Sequence, residues 1–413
     1  MHWNKIKKFL ITVFILLGTI TLLNSCGSQK KPTVRAAQGN MDTPEYHVNR
    51  GDTALQNQQY TEARSAYQKA LSLKSEYSPA LSGVAVCNAY LINRPGVSQD
   101  AKEEVLQQSI EKIEQAIDGA GSDKKMEARA HSFAIQVYYN IQLPKEEWYE
   151  KAQSHFEDAS ELTPNDPAPY FYMALAESYG LNFEKAEVHL NKVLQIGKKY
   201  EVEADKELKR IQQIQRALPG SKFGKSVANV KAIARADVAA LFIAELKLNR
   251  LYADQKQWKS GTFETPQAQQ KVVTQTLQNM PEATDIMGHP MESTIQEVIK
   301  LKVKGLEPSP GHKFFPDQKI TRAEFAMMIQ DILVKVTKDK KLATKYFGQS
   351  SPYPDVSENV WYYNATRVVI ERGLMEVNNK LTGDFEPMKS VSGAESLLIV
   401  RTMKQLLRSY ISD

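Results

Sequence analysis

The sequence predicts an all-α protein in which an array of helical repeats is followed by a compact bundle of short helices joined by loops. Apolar residues recur with the spacing of amphipathic helices, and a pattern of small and aromatic residues returns about every 34 positions between Pro44 and Gly197. A longer frame recurs in the second half of the chain. The 413 residues are enough for two or three domains.

The composition is that of an ordinary globular protein, with 42% hydrophobic and 24% charged residues. These values exclude wholesale disorder, a collagen-like chain and a membrane protein with many spans. The 53 Lys and Arg against 48 Asp and Glu give a net charge of +5, which is too balanced to indicate a nucleic-acid partner. Two cysteines, Cys26 and Cys87, are too few for a disulfide framework.

The N-terminus has the pattern of a secretion signal. Met1–Lys8 is basic, and the apolar run Phe9–Leu23 is shorter than the roughly 20 residues that span a bilayer. The following Leu23-Asn24-Ser25-Cys26 resembles a bacterial lipobox, which implies a signal peptide over residues 1–25 and a lipid on Cys26. An uncleaved anchor with a chance cysteine is the alternative.

The segment after the lipobox predicts a tether and a location. Residues 26–43 are polar and without periodicity, which predicts a flexible tether. Gly27 and Ser28, in place of an aspartate, imply by analogy with lipoproteins release to the outer membrane, facing the periplasm.

Residues 44–200 are predicted to form the repeat array. In its first unit, small and aromatic residues occupy fixed positions: Gly51, Ala54, Tyr60, Ala63, Tyr67 and Ala70. Small residues let two helices approach, and Tyr60 and Tyr67 would fill the gap to the next pair. This pattern resembles the tetratricopeptide family, with three good repeats and one degenerate one, and implies a concave surface for an unidentified protein or peptide. A generic helical bundle is the alternative.

The second half contains a short motif in three versions. Ile320–Met328 reads ITRAEFAMM and follows Phe314-Phe315-Pro316. A second version runs from Tyr353 to Leu398, and a poorer one occupies Ile233–Leu241. Each version predicts a helix, a glycine-containing loop, an F-x-P turn and a second helix.

These motifs resemble the S-layer homology family over residues 201–413. Copy 1 is then residues 201–250, copy 2 residues 283–336 and copy 3 residues 350–408, with an insertion at 251–282. The resemblance implies three units about a pseudo-threefold axis and a ligand that is peptidoglycan or a peptidoglycan-linked polymer, often acidic. It also implies that Trp361 packs in the core interface.

The helix starts of these copies carry the candidate ligand residues. Thr321 and Glu324 form a capping box, which can be purely structural. Ser392 and Glu395 repeat the box, whereas Ala234 cannot cap and leaves Asp237 as the only first-turn acid of copy 1.

Arginine in a first turn opposes the helix dipole, so Arg322 and Arg235 suit an anionic ligand unless a neighbouring acid holds them. Gly393 stands at the arginine position of copy 3, whose groove is therefore expected to lack this cation. The candidate wall-binding residues are Arg322, Thr321, Glu324, Arg235, Asp237, Trp361 and Glu395.

No motif predicts catalysis, a cofactor or a metal. Gly220–Ser226 resembles a phosphate loop but has the wrong spacing, the histidines are isolated in sequence, and Cys87 is expected to be a buried thiol. The sequence therefore predicts a non-enzymatic lipoprotein that tethers the outer membrane to the cell wall and scaffolds a protein partner. The alternatives are an adaptor of an envelope assembly or secretion machine with a decayed wall-binding module, and an enzyme acting on wall glycans.

Overall fold

The computed structural model describes residues 34–257 and 283–410, apart from residues 40, 95, 218 and 219. Within this part the regular structure is helical, with only isolated bridge pairs, as the sequence predicts. None of the described helices is both long and apolar enough to cross a bilayer. The chain contacts define two compact units, Met1–Pro164 and Asn165–Asp413.

The first unit is a succession of helical hairpins. Helix α1 packs on α2, α3 on α4 and α5 on α6, and each hairpin also packs on the next. Polar side chains begin several of these helices: Thr43 accepts a hydrogen bond from the Tyr46 amide, and Asp123 caps α5. The helices are α1 Pro44–Gln56, α2 Tyr60–Leu73, α3 Ser78–Ile92, α4 Gln99–Ala120, α5 Lys124–Ile141 and α6 Trp148–Leu162.

Tyr67 joins the first two hairpins and bears out the predicted role of the small and aromatic positions. Its ring is fully buried between Gly51 of α1 and Gly83 of α3. A Cβ atom on these glycines would lie 2.5 Å and 2.6 Å from ring atoms, so no larger residue fits. The Tyr67 hydroxyl donates to Asp52, which also accepts two hydrogen bonds from Arg129 of α5.

Tyr60 fills the second gap between the same hairpins. Its ring stacks on Tyr90 of α3, with centroids 4.3 Å apart and planes nearly parallel. The expected packing of both tyrosines against the next hairpin is therefore confirmed.

The described residues before α1 contact the first hairpin, while the flexible tether over residues 26–43 stays a prediction. Arg35 donates to both carboxylate oxygens of Asp42, and its amide donates to the Ser72 carbonyl. The Arg35 and His47 side chains hold the pKa of the Asp42 carboxyl well below its usual range. The Arg35–Ser72 backbone hydrogen bond and the contact of Asp42 with His47 thus attach Arg35 and Asp42 to the first hairpin. Cys26 and the predicted signal peptide, residues 1–25, lie outside the described residues.

The second unit combines one further hairpin with the three motif copies. Helix α7 packs on α8, and α9 packs both on α8 and on α16. The helices are α7 Pro167–Tyr179, α8 Phe183–Ile196, α9 Glu201–Ala217, α10 Lys222–Val227, α11 Arg235–Ala244, α12 Leu248–Gln257, α13 Glu292–Lys300, α14 Arg322–Thr337, α15 Tyr363–Glu371 and α16 Gly393–Leu406. Short 3-10 turns cover Lys340–Ala343 and Arg408–Tyr410.

This division differs from the domain boundary drawn near residue 200. The compact units separate between Pro164 and Asn165, so the last hairpin lies in one unit with the three copies. The assignment of residues 44–200 and 201–413 to two families stays a prediction. Helix α12 covers the beginning of the segment 251–282 interpreted as an insertion, whereas the short helix expected at 267–277 lies outside the described residues.

We predict that Gly83→Ala destabilises the first unit by about 1–3 kcal/mol, the cost of overpacking a filled core. The added methyl would meet the Tyr67 ring, which has no space to move because Gly51 lies on its other face. Differential scanning calorimetry of the full chain measures the effect. Gly39→Ala is the control, since nothing lies within 4 Å of its position. Equal transitions for the two variants would contradict the prediction.

Candidate functional site

The three copies meet in a closed ring of backbone hydrogen bonds just before their second helices. The Ile320 amide donates to the Ile233 carbonyl, the Val391 amide to the Ile320 carbonyl, and the Ile233 amide to the Val391 carbonyl. These N–O distances are 3.0, 3.1 and 2.9 Å. Equivalent backbone hydrogen bonds therefore link the three copies in a cycle.

The helices follow the same cyclic order. Helix α11 of copy 1 packs on α13 of copy 2, α14 of copy 2 packs on α15 of copy 3, and α16 of copy 3 packs on α9. Helix α9 therefore serves as the first helix of copy 1. Because α9 also packs on α8, it belongs at once to the repeat hairpins and to the ring.

Arg322 is buried inside the joint between copies 2 and 3, where only 2% of its surface is exposed. Its Nε donates to the Phe385 carbonyl at 2.8 Å, one terminal nitrogen donates to the Glu376 carbonyl, and the other pairs with Glu395. The guanidinium also lies over the Phe385 ring, 4.5 Å from its centroid. Burial lowers the pKa of Arg322 to about 10, so it stays charged at neutral pH.

Arg235 repeats this joint between copies 1 and 2. It donates to the carbonyls of Phe314, Gly305 and Glu307, at 2.7, 2.6 and 3.1 Å. Its guanidinium lies over the Phe314 ring, 4.8 Å from the centroid. Both arginines expected to meet an anionic ligand thus bind backbone carbonyls of the next copy. For Arg322 the alternative reading, a cation held by a neighbouring acid, fits the geometry, and the acid is Glu395.

Two of the three acids at the helix starts, Glu324 and Asp237, act as caps. The Glu324 amide donates to the Thr321 hydroxyl, and the Thr321 amide donates to the Glu324 carboxylate, so the expected capping box is present. The Asp237 carboxylate accepts a hydrogen bond from the Ala234 amide. This is one of the two hydrogen bonds of a capping box, and the other is missing because alanine has no side-chain acceptor. Ser392 caps α16. The Glu395 carboxylate instead pairs with Arg322.

Two aspartates that form the F-x-P turns complete the repeat frame. Asp285 accepts from the amides of Phe314 and Phe315, each at 2.7 Å, and Asp355 accepts from those of Phe385 and Glu386. Although burial raises the pKa of Asp285, these backbone donors hold it below its usual value. Asp285 was not identified from the sequence. It lies 70 residues before Asp355 in the same frame, and that spacing could have identified it.

Gly393 has a steric reason to replace arginine in copy 3. A Cβ atom at this position would lie 1.7 Å from the Val227 carbonyl oxygen of copy 1. The Gly393 amide donates to the Val230 carbonyl at 2.8 Å, which is a second backbone hydrogen bond between copies 3 and 1 besides that from Ile233 to Val391. The residue that looked like a lost ligand group is the only kind that allows copies 3 and 1 to approach so closely.

Trp361 does not pack in the core interface, and that expectation is wrong. Its side chain is 66% exposed and contacts Tyr362 edge to face, with centroids 5.2 Å apart. The buried aromatic residues at the start of α15 are Tyr362 and Tyr363. The exposed Trp361 and the buried Tyr362 are neighbours in the chain. The motif alone does not tell which of these two positions is buried.

The groups considered for catalysis have structural surroundings. Cys87 is fully buried, and burial raises the pKa of its thiol to about 12, which disfavours a nucleophilic thiolate. In the segment that resembles a phosphate loop, the Ser221 hydroxyl accepts from the Gly224 amide and so caps the short helix α10. The Ser221 amide donates to the Glu245 carboxylate. A carboxylate at this place opposes an incoming phosphate.

The histidines are not all isolated, contrary to the expectation from spacing. His131 of α5 and His155 of α6 approach each other, with their Nδ1 atoms 2.9 Å apart. They are 24 residues apart on packed helices, so no short motif could have revealed the contact.

Comparison with known proteins supports the repeat interpretation for the beginning of the array. Residues 44–77 match the tetratricopeptide repeat family, and this stretch is the α1–α2 hairpin together with the turn into α3. No curated protein matches the chain. A solved structure of a thermophilic TPR protein from Thermus thermophilus is similar to 51% of this chain and to 97% of its own, with 15% identity and a TM-score of 0.32. Repeats of this family form scaffolds for protein–protein interaction.

We predict that Gly393→Ala opens the ring between copies 3 and 1, because the methyl group cannot coexist with the Val227 carbonyl. Hydrogen exchange at the Ile233 amide, which donates to Val391, should accelerate by about 100-fold if opening becomes about 3 kcal/mol easier. Gly220→Ala is the control, since the nearest atom lies 3.7 Å from its Cβ position. Unchanged protection in Gly393→Ala would contradict this role.

We predict that Arg322→Met destabilises the second unit by about 3 kcal/mol, because two carbonyls and Glu395 lose their partner. The calorimetric transition of this unit should fall by about 6–12 °C. Arg322→Lys should not restore it, since one ammonium cannot replace the planar fork. The exposed Arg372 supplies the control Arg372→Met. An Arg322→Met protein as stable as the control would show that Arg322 is not a structural joint.

Proposed function

We propose that this chain is a non-enzymatic scaffold lipoprotein of the bacterial envelope. A lipid on Cys26 would anchor it in the outer membrane, facing the periplasm, the repeats would hold a protein partner, and the three-copy module would hold peptidoglycan or a peptidoglycan-linked polymer. The observation that carries the scaffold role is the tetratricopeptide repeat at residues 44–77 within a run of packed hairpins.

The wall-binding part of the proposal has its support in the closed three-copy ring and in the motif ITRAEFA at 320–326. The geometry changes which side chains would contact the ligand. Because Arg322 is buried in the joint, it would stabilise the packing of copies 2 and 3, and exposed side chains would contact the ligand. Trp361 offers an exposed aromatic face, which suits the apolar face of a sugar ring.

Co-sedimentation of the full chain with purified sacculi tests the wall proposal, before and after attached polymers are chemically stripped. Binding lost on stripping would identify a secondary polymer as ligand, and binding that survives would identify peptidoglycan. We expect Trp361→Ala to weaken retention by about 10-fold, equivalent to about 1.4 kcal/mol. Phe347→Ala is the matched control, since Phe347 is 65% exposed in the same module.

The adaptor function without wall binding is the second candidate, and one observation favours it. Arg235 and Arg322 are both engaged by the chain itself, and Gly393 has no side chain to offer. Absence of sedimentation with either form of sacculi would reject the tether. Cross-linking of the chain to an envelope protein in intact cells would then support the adaptor, and its absence as well would reject the scaffold.

The lipid anchor has a separate test. A Cys26→Ser variant should lose membrane association and the mass of the attached acyl chains, while the module keeps its behaviour towards sacculi. A chain that stays in the membrane fraction without Cys26 would support the uncleaved anchor instead.

A further inference from the structure

Helices α5 and α6 of the first unit place three metal-binding side chains around one point. His131 comes from α5, and His155 and Asp158 come from the same face of α6, three residues apart. The two Nδ1 atoms are 2.9 Å apart, and the Asp158 carboxylate lies 3.5 Å from the Nδ1 atom of His131. All three possible ligand atoms lie within 4.8 Å of one another.

These distances approach those around a bound ion. Ligand atoms about 2.0–2.1 Å from a tetrahedral zinc ion are about 3.3 Å from each other. The histidine pair therefore has to open by only a few tenths of an ångström. The Tyr138 ring stacks on the His155 ring, with centroids 5.8 Å apart, and holds its plane.

The two imidazoles face each other through their Nδ1 atoms in a partly buried position. Burial lowers the pKa of His131, and burial together with the neighbouring His131 lowers the pKa of His155 to about 4. At 2.9 Å only one proton fits between the two Nδ1 atoms, so at least one lone pair points at the other ring. A cation between the rings would use both lone pairs.

The surrounding charges and the donor set define the kind of ion. Asp158 and Glu127 lie near His131 and favour a cation, whereas Lys151 near His155 opposes it. Two nitrogens and one carboxylate suit Zn²⁺ and similar transition metals, whereas Ca²⁺ and Mg²⁺ prefer oxygen ligands alone. The Asp158 side chain is 54% exposed, so water can reach the fourth position.

We propose that His131, His155 and Asp158 bind one Zn²⁺ ion and fasten α5 to α6 within the repeat array. The three residues lie within the repeat array. The metal proposal does not rest on the proposed scaffold function, because Zn²⁺ binding to these side chains requires neither a protein partner, nor the lipid anchor, nor the three-copy module. Its failure would leave the scaffold proposal intact, and the reverse also holds.

The tag-free full chain should bind one Zn²⁺ through this cluster in isothermal titration calorimetry, and excess Zn²⁺ should raise the Tm of the first unit. Co²⁺ bound there should show the visible absorption of a low-coordinate nitrogen and oxygen site. His155→Gln and Asp158→Asn should each weaken Zn²⁺ binding by more than about 100-fold, since losing a group that only hydrogen-bonds to a metal ligand already costs roughly 10–100-fold.

An exposed ligand variant and a control variant allow the test to contradict the proposal. Asp158 is exposed, so Asp158→Asn retains the fold even if His155→Gln does not. His312→Asn is the control, because His312 is exposed and asparagine tolerates its left-handed backbone, with φ of 56°. No Zn²⁺ binding, or binding that the Asp158 and His155 variants leave unchanged, would overturn the proposal.

Discussion

The C-terminal module depends on the way each second helix begins against the turn of another copy. The first amides of a helix have no partner within that helix. Here the amides of Arg235, Arg322 and Gly393 donate to carbonyls of neighbouring copies, at 2.8–2.9 Å. Thr321 and Ser392 cap later amides within their own helix starts, whereas these first amides find their partners only when the neighbouring copies are in place. The module therefore has a cooperative core made of backbone contacts.

The sequence predicted the local features well because they depend on residues close together in the chain. The capping box of Thr321 and Glu324 lies within one helical turn, and the position of Tyr67 follows from a spacing that any helical hairpin of this kind shares. The all-helical class follows from the same periodicity. These features could be predicted because their partners lie in the same repeat or in the next one.

The candidate site could be predicted less well, because its chemistry depends on contacts between copies. Arginine in a first turn has the same sequence signal whether it meets a ligand or a carbonyl 63 residues away, as Arg322 does. The sequence indicates Gly393 only as a position that lacks the arginine of the other copies, because the close approach of the Val227 carbonyl cannot be predicted from the sequence. The contact of His131 with His155 likewise needs the packing of two helices to be known.

Helix α9 packs both on the last hairpin and on the three-copy ring, and this sharing has a mechanical consequence. Force applied to the three-copy module does not pass through a flexible peptide at residue 200, since α9 packs on α8 along one side and on α16 along another. Load between these parts would pass through the packed faces of α9, whose side chains Ile211 and Ile214 are fully buried. A joint of this kind resists pulling in shear, so the end of the repeat array and the ring would respond to tension as one stiff body.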